Sequence, residues 1–227
     1  MRRFVNRPDV CVVMPVYNEE EVVGDVVKTI LKSFSKVVCV DDGSDDDSGK
    51  ICADAGAAVV RHAVNLGQGA ALRTGLEFGL LDPGIKTFVT FDADGQHDLA
   101  DVEMMLARLS RGDVQIIFGS RFLDNRTAMK RSKRLVLRLA VYYTKMSTGV
   151  ALTDAHNGLR AFDRSVAAAM RIEMNGMAHA SEIVAIVARE QIAYAEVPVH
   201  IRYTAYSHGK GQPLLNSVNI LFDILFR

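Results

Sequence analysis

The chain has 227 residues, 49% of them hydrophobic and 24% charged, which suits one α/β-sized globular unit. Lysine plus arginine and aspartate plus glutamate balance at 27 each, so no global field points to nucleic acid. No apolar run reaches the roughly 18–20 residues that span a bilayer, and the charged start MRRFVNRPD does not read as a signal peptide.

The first half alternates short apolar runs with helical spacing. Residues 10–16 are predicted as a β-branched strand, followed by a helix over 19–34 with apolar positions Val22, Val23, Val26, Val27, Ile30 and Leu31. A second strand is expected over 36–40, then a helix running to 55 with Ser44 or Asp45 as its cap. Further strands are predicted at 57–61, 86–91 and 114–119, and further helices at 68–80 and 99–109. Such alternation implies a mostly parallel twisted sheet covered by helices on both faces.

The second half is less regular. A helix with a basic start is expected over 130–146, a short extended piece at 159–162, and helices at 163–170 and 179–190. Strands are expected at 192–197 and 199–203, and an apolar-rich amphipathic helix closes the chain at 214–226. Cys11, Cys39 and Cys52 form no CxxC pair and read as small buried residues of a reduced, intracellular protein.

Ligands of parallel sheets bind beyond the carboxyl ends of the strands. Polar residues collect at three such ends: Tyr17-Asn18-Glu19, Asp41-Asp42-Gly43-Ser44 and Asp92-Ala93-Asp94. Asp92 and Asp94 lie two apart, so in extended chain they point the same way and can share one Mg²⁺ or Mn²⁺ carrying a diphosphate. An Asp-Gly turn is the plainer alternative. Asp41 and Asp42 suit hydrogen bonds from ribose or base, and Gly43 permits a positive φ. The turn Asn65-Leu66-Gly67-Gln68-Gly69 allows close backbone approach and offers free N–H groups at a helix start. It matches neither a dinucleotide fingerprint nor a P-loop, and by itself it reads as an ordinary tight turn. His97, His156, His179 and His208 fit no zinc spacing and read as supporting or surface residues.

The segments VVMPVYNEE, VDDGSDD, NLGQGAA, FDADGQH and GSR follow one another in an order that resembles family 2 glycosyltransferases of the GT-A fold. TDAHNGLRAF, EVPVHIRYT and GKGQ make the chain similar to the branch with dolichol- and polyprenyl-phosphate sugar synthases and related bacterial polysaccharide enzymes. The resemblance spans roughly 10–212 and implies a GT-A domain over 1–212, with a nucleotide-binding half near 10–121 and an acceptor half near 122–212. The helix at 213–227 lies beyond it.

The resemblance implies a donor site of Pro15, Tyr17, Asn18, Glu19, Asp41, Asp42 and Ser44, with Gly67, Gln68 and Gly69 near the base. Asp92, Ala93, Asp94 and Gln96 match the metal and diphosphate site, and Arg121, Arg202 and Lys210 match phosphate-contacting cations. Many relatives carry lysine where this chain has Gln68. For the acceptor, Arg121, Arg131, Arg134, Asn157, Arg160 and Glu182 are candidates, and the basic helix from Lys130 to Arg138 suits an anionic lipid surface. The expected reaction is an inverting displacement at the sugar C1, with a UDP- or GDP-linked donor and Mg²⁺ or Mn²⁺. A polyprenyl phosphate acceptor needs no general base; a saccharide hydroxyl does, with Asp154 or Glu182 as candidates, although each can equally be a salt-bridged structural acid. Catalytic roles then fall to Asp92, Asp94, Asp154 and Arg202. A peripheral position at the inner membrane face, a small membrane-protein partner or a homodimer would accompany this function. The competing class is a catalytically silent nucleotide-sugar-binding module.

Overall fold

The computed structural model describes residues 7–124, 141–142 and 145–202. A seven-stranded sheet forms its centre, in the order β3-β2-β1-β4-β6-β5-β7. The strands are β1 (Val10–Val16), β2 (Lys36–Asp41), β3 (Ala58–Arg61), β4 (Thr87–Thr90), β5 (Ile116–Ser120), β6 (Arg160–Asp163) and β7 (Tyr194–Pro198). Helices α1 (Val23–Ile30), α2 (Ser48–Asp54), α3 (Gln68–Leu80), α4 (Leu99–Leu109), α5 (Arg164–Ala169) and α6 (His179–Arg189) flank it.

Alternation along β1 feeds two cores. Val10, Val12, Met14 and Val16 pack with α1, α2 and α4, whereas Cys11 and Val13 pack with α3, α5 and α6. Burying both faces requires the near-continuous apolar strands seen in the sequence. The three cysteines are buried and free, and burial pushes the Cys11 thiol up to about 12.

Strand β6 is the exception to parallel order: it runs antiparallel to both β4 and β5. It therefore enters the sheet from the carboxyl end of β4, where Arg160 pairs with Thr90, and Phe162 stacks on Phe88 deeper in. The loop before it is thereby laid across the ends of β4 and β5. Because β1 lies between β2 and β4, the sheet also has a switch point where a crevice opens.

Strand β1 and helices α3 and α4 have their expected bounds, most other elements shift by one or two residues at an end, and three places differ more. Residues 19–22 turn rather than begin α1, because Glu19 N–H donates to Ser48 Oγ and Glu20 N–H to Asp46. Ser44 does not cap α2; its hydroxyl accepts from Asn18 N–H, and α2 starts at Ser48. Residues 199–202 are not a strand: after Val199 N–H reaches Ser120 O, His200 N–H turns to Asp101 and Arg202 N–H to Gln96 O. The helix expected over 130–146 falls largely outside the described residues, although 141–142 and 145–148 are helical. Arg131, Arg134, His208, Lys210 and the 214–226 helix lie wholly outside them.

Candidate active site

The end of β4 supplies the paired carboxylates. The chain turns at Ala93 and Asp94 instead of staying extended, and Gln96 N–H donates to Asp94. Burial opposes ionisation of Asp92, but the hydrogen bond from His97, its charge and that of Arg160 outweigh it and hold the carboxyl below its ordinary value. For Asp94, burial and then the Asp92 charge push the carboxyl up to about 6. Two neighbouring carboxylates, one of them reluctant to ionise, fit a hard divalent cation that relieves their repulsion. Among the described residues no three acidic, histidine or cysteine side chains form a protein-only cage. Such a site suits a cation shared with a substrate's phosphates.

Asp92 is held from three directions. His97 Nε2 lies 2.9 Å from its Oδ2, and Gln68 Nε2 donates to Oδ1 at 3.2 Å. Gly158 packs so closely that a Cβ there would lie 2.3 Å from Oδ2. The His97 ring is buried and meets Phe91 edge-on. Sequence reading gave His97 as a supporting or surface histidine, of which it is the first, and did not single out Gly158. The signal for His97 was its place five residues after Asp92, across a tight Asp-Gly turn.

A cleft of about 90 Å³ adjoins Asp92, lined by Gln96, His97, Arg121, His156, Asn157, Gly158 and Ile201. Arg121 is locked to buried Asp154 by Nε–Oδ2 at 2.6 Å and Nη2–Oδ1 at 2.7 Å. Burial opposes the Asp154 charge, but Arg121 outweighs it and keeps the carboxyl below its usual range. Among the described residues, the buried Asn157 Nδ2, His156 Nδ1 and Arg160 Nε have no hydrogen-bond partner. Arg160 is a fully buried guanidinium; burial lowers it to about 10, with Asp92 and Asp154 opposing, so it stays charged at neutral pH. A larger cleft of about 350 Å³ runs between α3 and α5, past Arg73, Glu77 and Met170. It lies along the helices, and its charged lining of Arg73, Glu77, Arg171 and Glu173 includes none of the strand-end groups at Asp92.

The other predicted donor residues gather at the ends of β1 and β2. Tyr17 is exposed, and Asn18, at φ 54°, accepts Asp45 N–H through Oδ1. Asp41 and Asp42, expected to face ribose or base, are buried and take donors from the chain itself, although Asp41 Oδ2 has no hydrogen bond among the described residues. Asp41 accepts Ser44 N–H, and Asp42 accepts Leu66 N–H, Gly67 N–H and the His62 ring. The tight turns aim these N–H groups inward, and each needs an acceptor.

The glycine-rich turn is likewise engaged by the chain itself. Its helix-start N–H groups were read as open to a ligand or as part of an ordinary tight turn; Gly69 and Ala70 N–H both donate to Asn175 O. Glu182, a candidate base, accepts Glu173 and Met174 N–H, so it anchors this same segment. Arg202 pairs with Asp98 and reaches the rim of the carboxylate loop.

Against known proteins, the family model for "Glycosyl transferase family 2" matches residues 11–171. The chain belongs to glycosyltransferase family 2. It is 32% identical to an uncharacterized protein of Methanocaldococcus jannaschii, over 98% of this chain and 93% of that one. It is 26% identical to the UDP-N-acetylglucosamine–dolichyl-phosphate N-acetylglucosaminyltransferase of Methanococcus voltae, over 94% and 93%. An undecaprenyl-phosphate 4-deoxy-4-formamido-L-arabinose transferase of Pseudomonas fluorescens is 29% identical, over 95% of this chain and 64% of that one. Among solved structures, glucosyl-3-phosphoglycerate synthase of Mycobacterium tuberculosis with Mn²⁺, UDP and phosphoglyceric acid superposes at TM-score 0.68. That likeness, at 18% identity over 96% of this chain and 78% of that one, establishes the GT-A fold.

Proposed function

We propose that the protein transfers a sugar from a UDP-sugar to a polyprenyl phosphate, with inversion at C1 and with a divalent cation. The observation that carries this reading is the junction of Asp92, beside Asp94, with a cleft whose buried Asn157 Nδ2 has no partner among the described residues. Donors that are buried and unsatisfied are costly unless a ligand arrives to accept from them. The names of the dolichyl-phosphate and undecaprenyl-phosphate relatives point to the same acceptor class.

A cation held by Asp92 and Asp94, with Gln96 beside them, would neutralise charge growing on the departing diphosphate. The chain's own groups do the rest. Pro15, Tyr17, Asn18 and Glu19 flank the donor, over a floor shaped by Asp41 and Asp42. Arg202 lies where it can meet the diphosphate, and Arg121 with Asn157 presents positive and N–H edges to the acceptor phosphate. Arg160 is the fixed charge beneath them. Lys210, Arg131 and Arg134 would extend the cationic surface, and the basic stretch from Lys130 would rest on the membrane's inner face.

A phosphate oxygen is already anionic and needs no general base, which agrees with how both candidate bases are engaged. Asp154 is held by Arg121, and Glu182 by two backbone N–H groups. A saccharide hydroxyl would find no such base there. The test supplies Mn²⁺, a panel of labelled UDP-sugars, and undecaprenyl phosphate or an oligosaccharide. Solvent-extractable lipid-linked sugar, abolished by EDTA, is expected. Turnover of the oligosaccharide alone would transfer the function to saccharide assembly, and UDP binding with no turnover of any acceptor would leave a silent binding module.

A further inference from the structure

We propose that the glycine-rich turn is not a ligand cradle but the mount for Gln68, a positioning residue that orients Asp92. This rests on the reading of Asp92 as a cation ligand. The turn is fastened from two sides. The Asp42 carboxylate takes Leu66 and Gly67 N–H at 2.9 and 2.7 Å, and Asn175 O takes Gly69 N–H at 2.7 Å. A Cβ at Gly67 would lie 2.4 Å from Asn175 O, and one at Gly69 would lie 2.0 Å from Met174 O. The glycines therefore admit the chain's own 174–175 backbone, and the Gly69 and Ala70 N–H groups are spent on it.

Gln68 is the side chain this arrangement delivers. It opens α3 between the two fastened glycines, and its Nε2 reaches Asp92 Oδ1 at 3.2 Å. A carboxylate only accepts, so the amide nitrogen faces it. His97 takes the other oxygen. Together they hold the carboxylate through both of its oxygens. An amide does so without supplying a charge, so the negative charge of Asp92 stays available to a cation. Outer partners of metal-binding carboxylates act in this way.

The test compares wild type with Gln68→Met, which keeps the side-chain length and removes the N–H donor. Free Mn²⁺ is followed by its electron paramagnetic resonance signal during titration of the full chain, with UDP and no acceptor. UDP affinity in EDTA and the apo melting temperature are measured alongside. The Met variant is expected to raise the Mn²⁺ dissociation constant about tenfold. Metal-free UDP affinity should hold within about twofold, and the melting temperature within about 2 °C, as for a half-buried polar side chain replaced at equal length. A Mn²⁺ constant within about twofold of wild type overturns the inference, whatever the melting temperature. So does an equal loss of metal-free UDP binding, which marks general damage to the site. Absence of Mn²⁺ binding by the wild-type protein would instead overturn the cation site itself.

Discussion

At the scale of single residues, the site is defined by charges that the fold holds against their preference. Asp94 shows this most directly, because burial and Asp92 raise it to about 6, above its ordinary 3.8. Between those values the native state binds more protons than the unfolded chain, so this group's contribution falls as pH rises through the window. Asp94→Asn removes the penalty. At pH 7 the metal-free variant is expected to gain roughly 1–2 kcal/mol, or about 3–6 °C in melting temperature. The gain should close as pH falls towards 4, and the Mn²⁺-dependent thermal shift should vanish. A variant that melts lower than wild type at pH 7 would mark Asp94 as structural. The spacing of Asp92 and Asp94 by itself offered either a cation pair or an Asp-Gly turn, and the chain does turn there. The three supports of Asp92 were not legible, since Gln68, His97 and Gly158 reach it from different elements.

At the scale of elements, the packing of α3 against the segment before α6 governs the geometry. Gly67 combines φ +100° with a site where a Cβ would overlap a carbonyl, so alanine meets both backbone strain and overpacking. Gly67→Ala is expected to cost roughly 2–3 kcal/mol, lowering the melting temperature by about 5–10 °C. Protease sensitivity should rise within 171–178, read by mass spectrometry of the first cleavage products. Cleavage spread evenly over the chain would contradict a local effect. A glycine-rich turn at a helix start looks the same in sequence whether a ligand or another backbone fills it. Only the position of Asn175, more than a hundred residues later, distinguishes the two.

At the scale of the molecule, buried histidines set the response to acid. Burial pulls both His156 and His179 down to about 4, against 6.5 for a free ring, and Arg160 adds to the effect on His179. Between pH 6.5 and 4 the unfolded chain binds the extra protons, so stability falls as pH drops through that window. Each ring contributes roughly 2–3 kcal/mol of loss by pH 4, partly offset by Asp94. Metal-free melting curves from pH 7 to 4.5 should therefore fall, and fall more steeply in Asp94→Asn. A flat profile would show that the rings accept protons in the folded protein.

The alternation of apolar strands and helices by itself determined the layered α/β architecture, because burying both faces of a parallel sheet demands that pattern. It also determined that the polar strand ends of β1, β2 and β4 share one side, since parallel strands align their carboxyl ends. The tertiary structure alone decided which of those groups remain for chemistry. Antiparallel β6 carries Gly158 and Arg160 to the Asp92 end of the sheet, a reversal that no local pattern in TDAHNGLRAF encodes. The same packing directs Asp41, Asp42 and Glu182 towards backbone N–H groups that would otherwise be buried without partners. Hydrogen-bond satisfaction of the turns is a long-range matter, and it divides the acidic residues between scaffold and site.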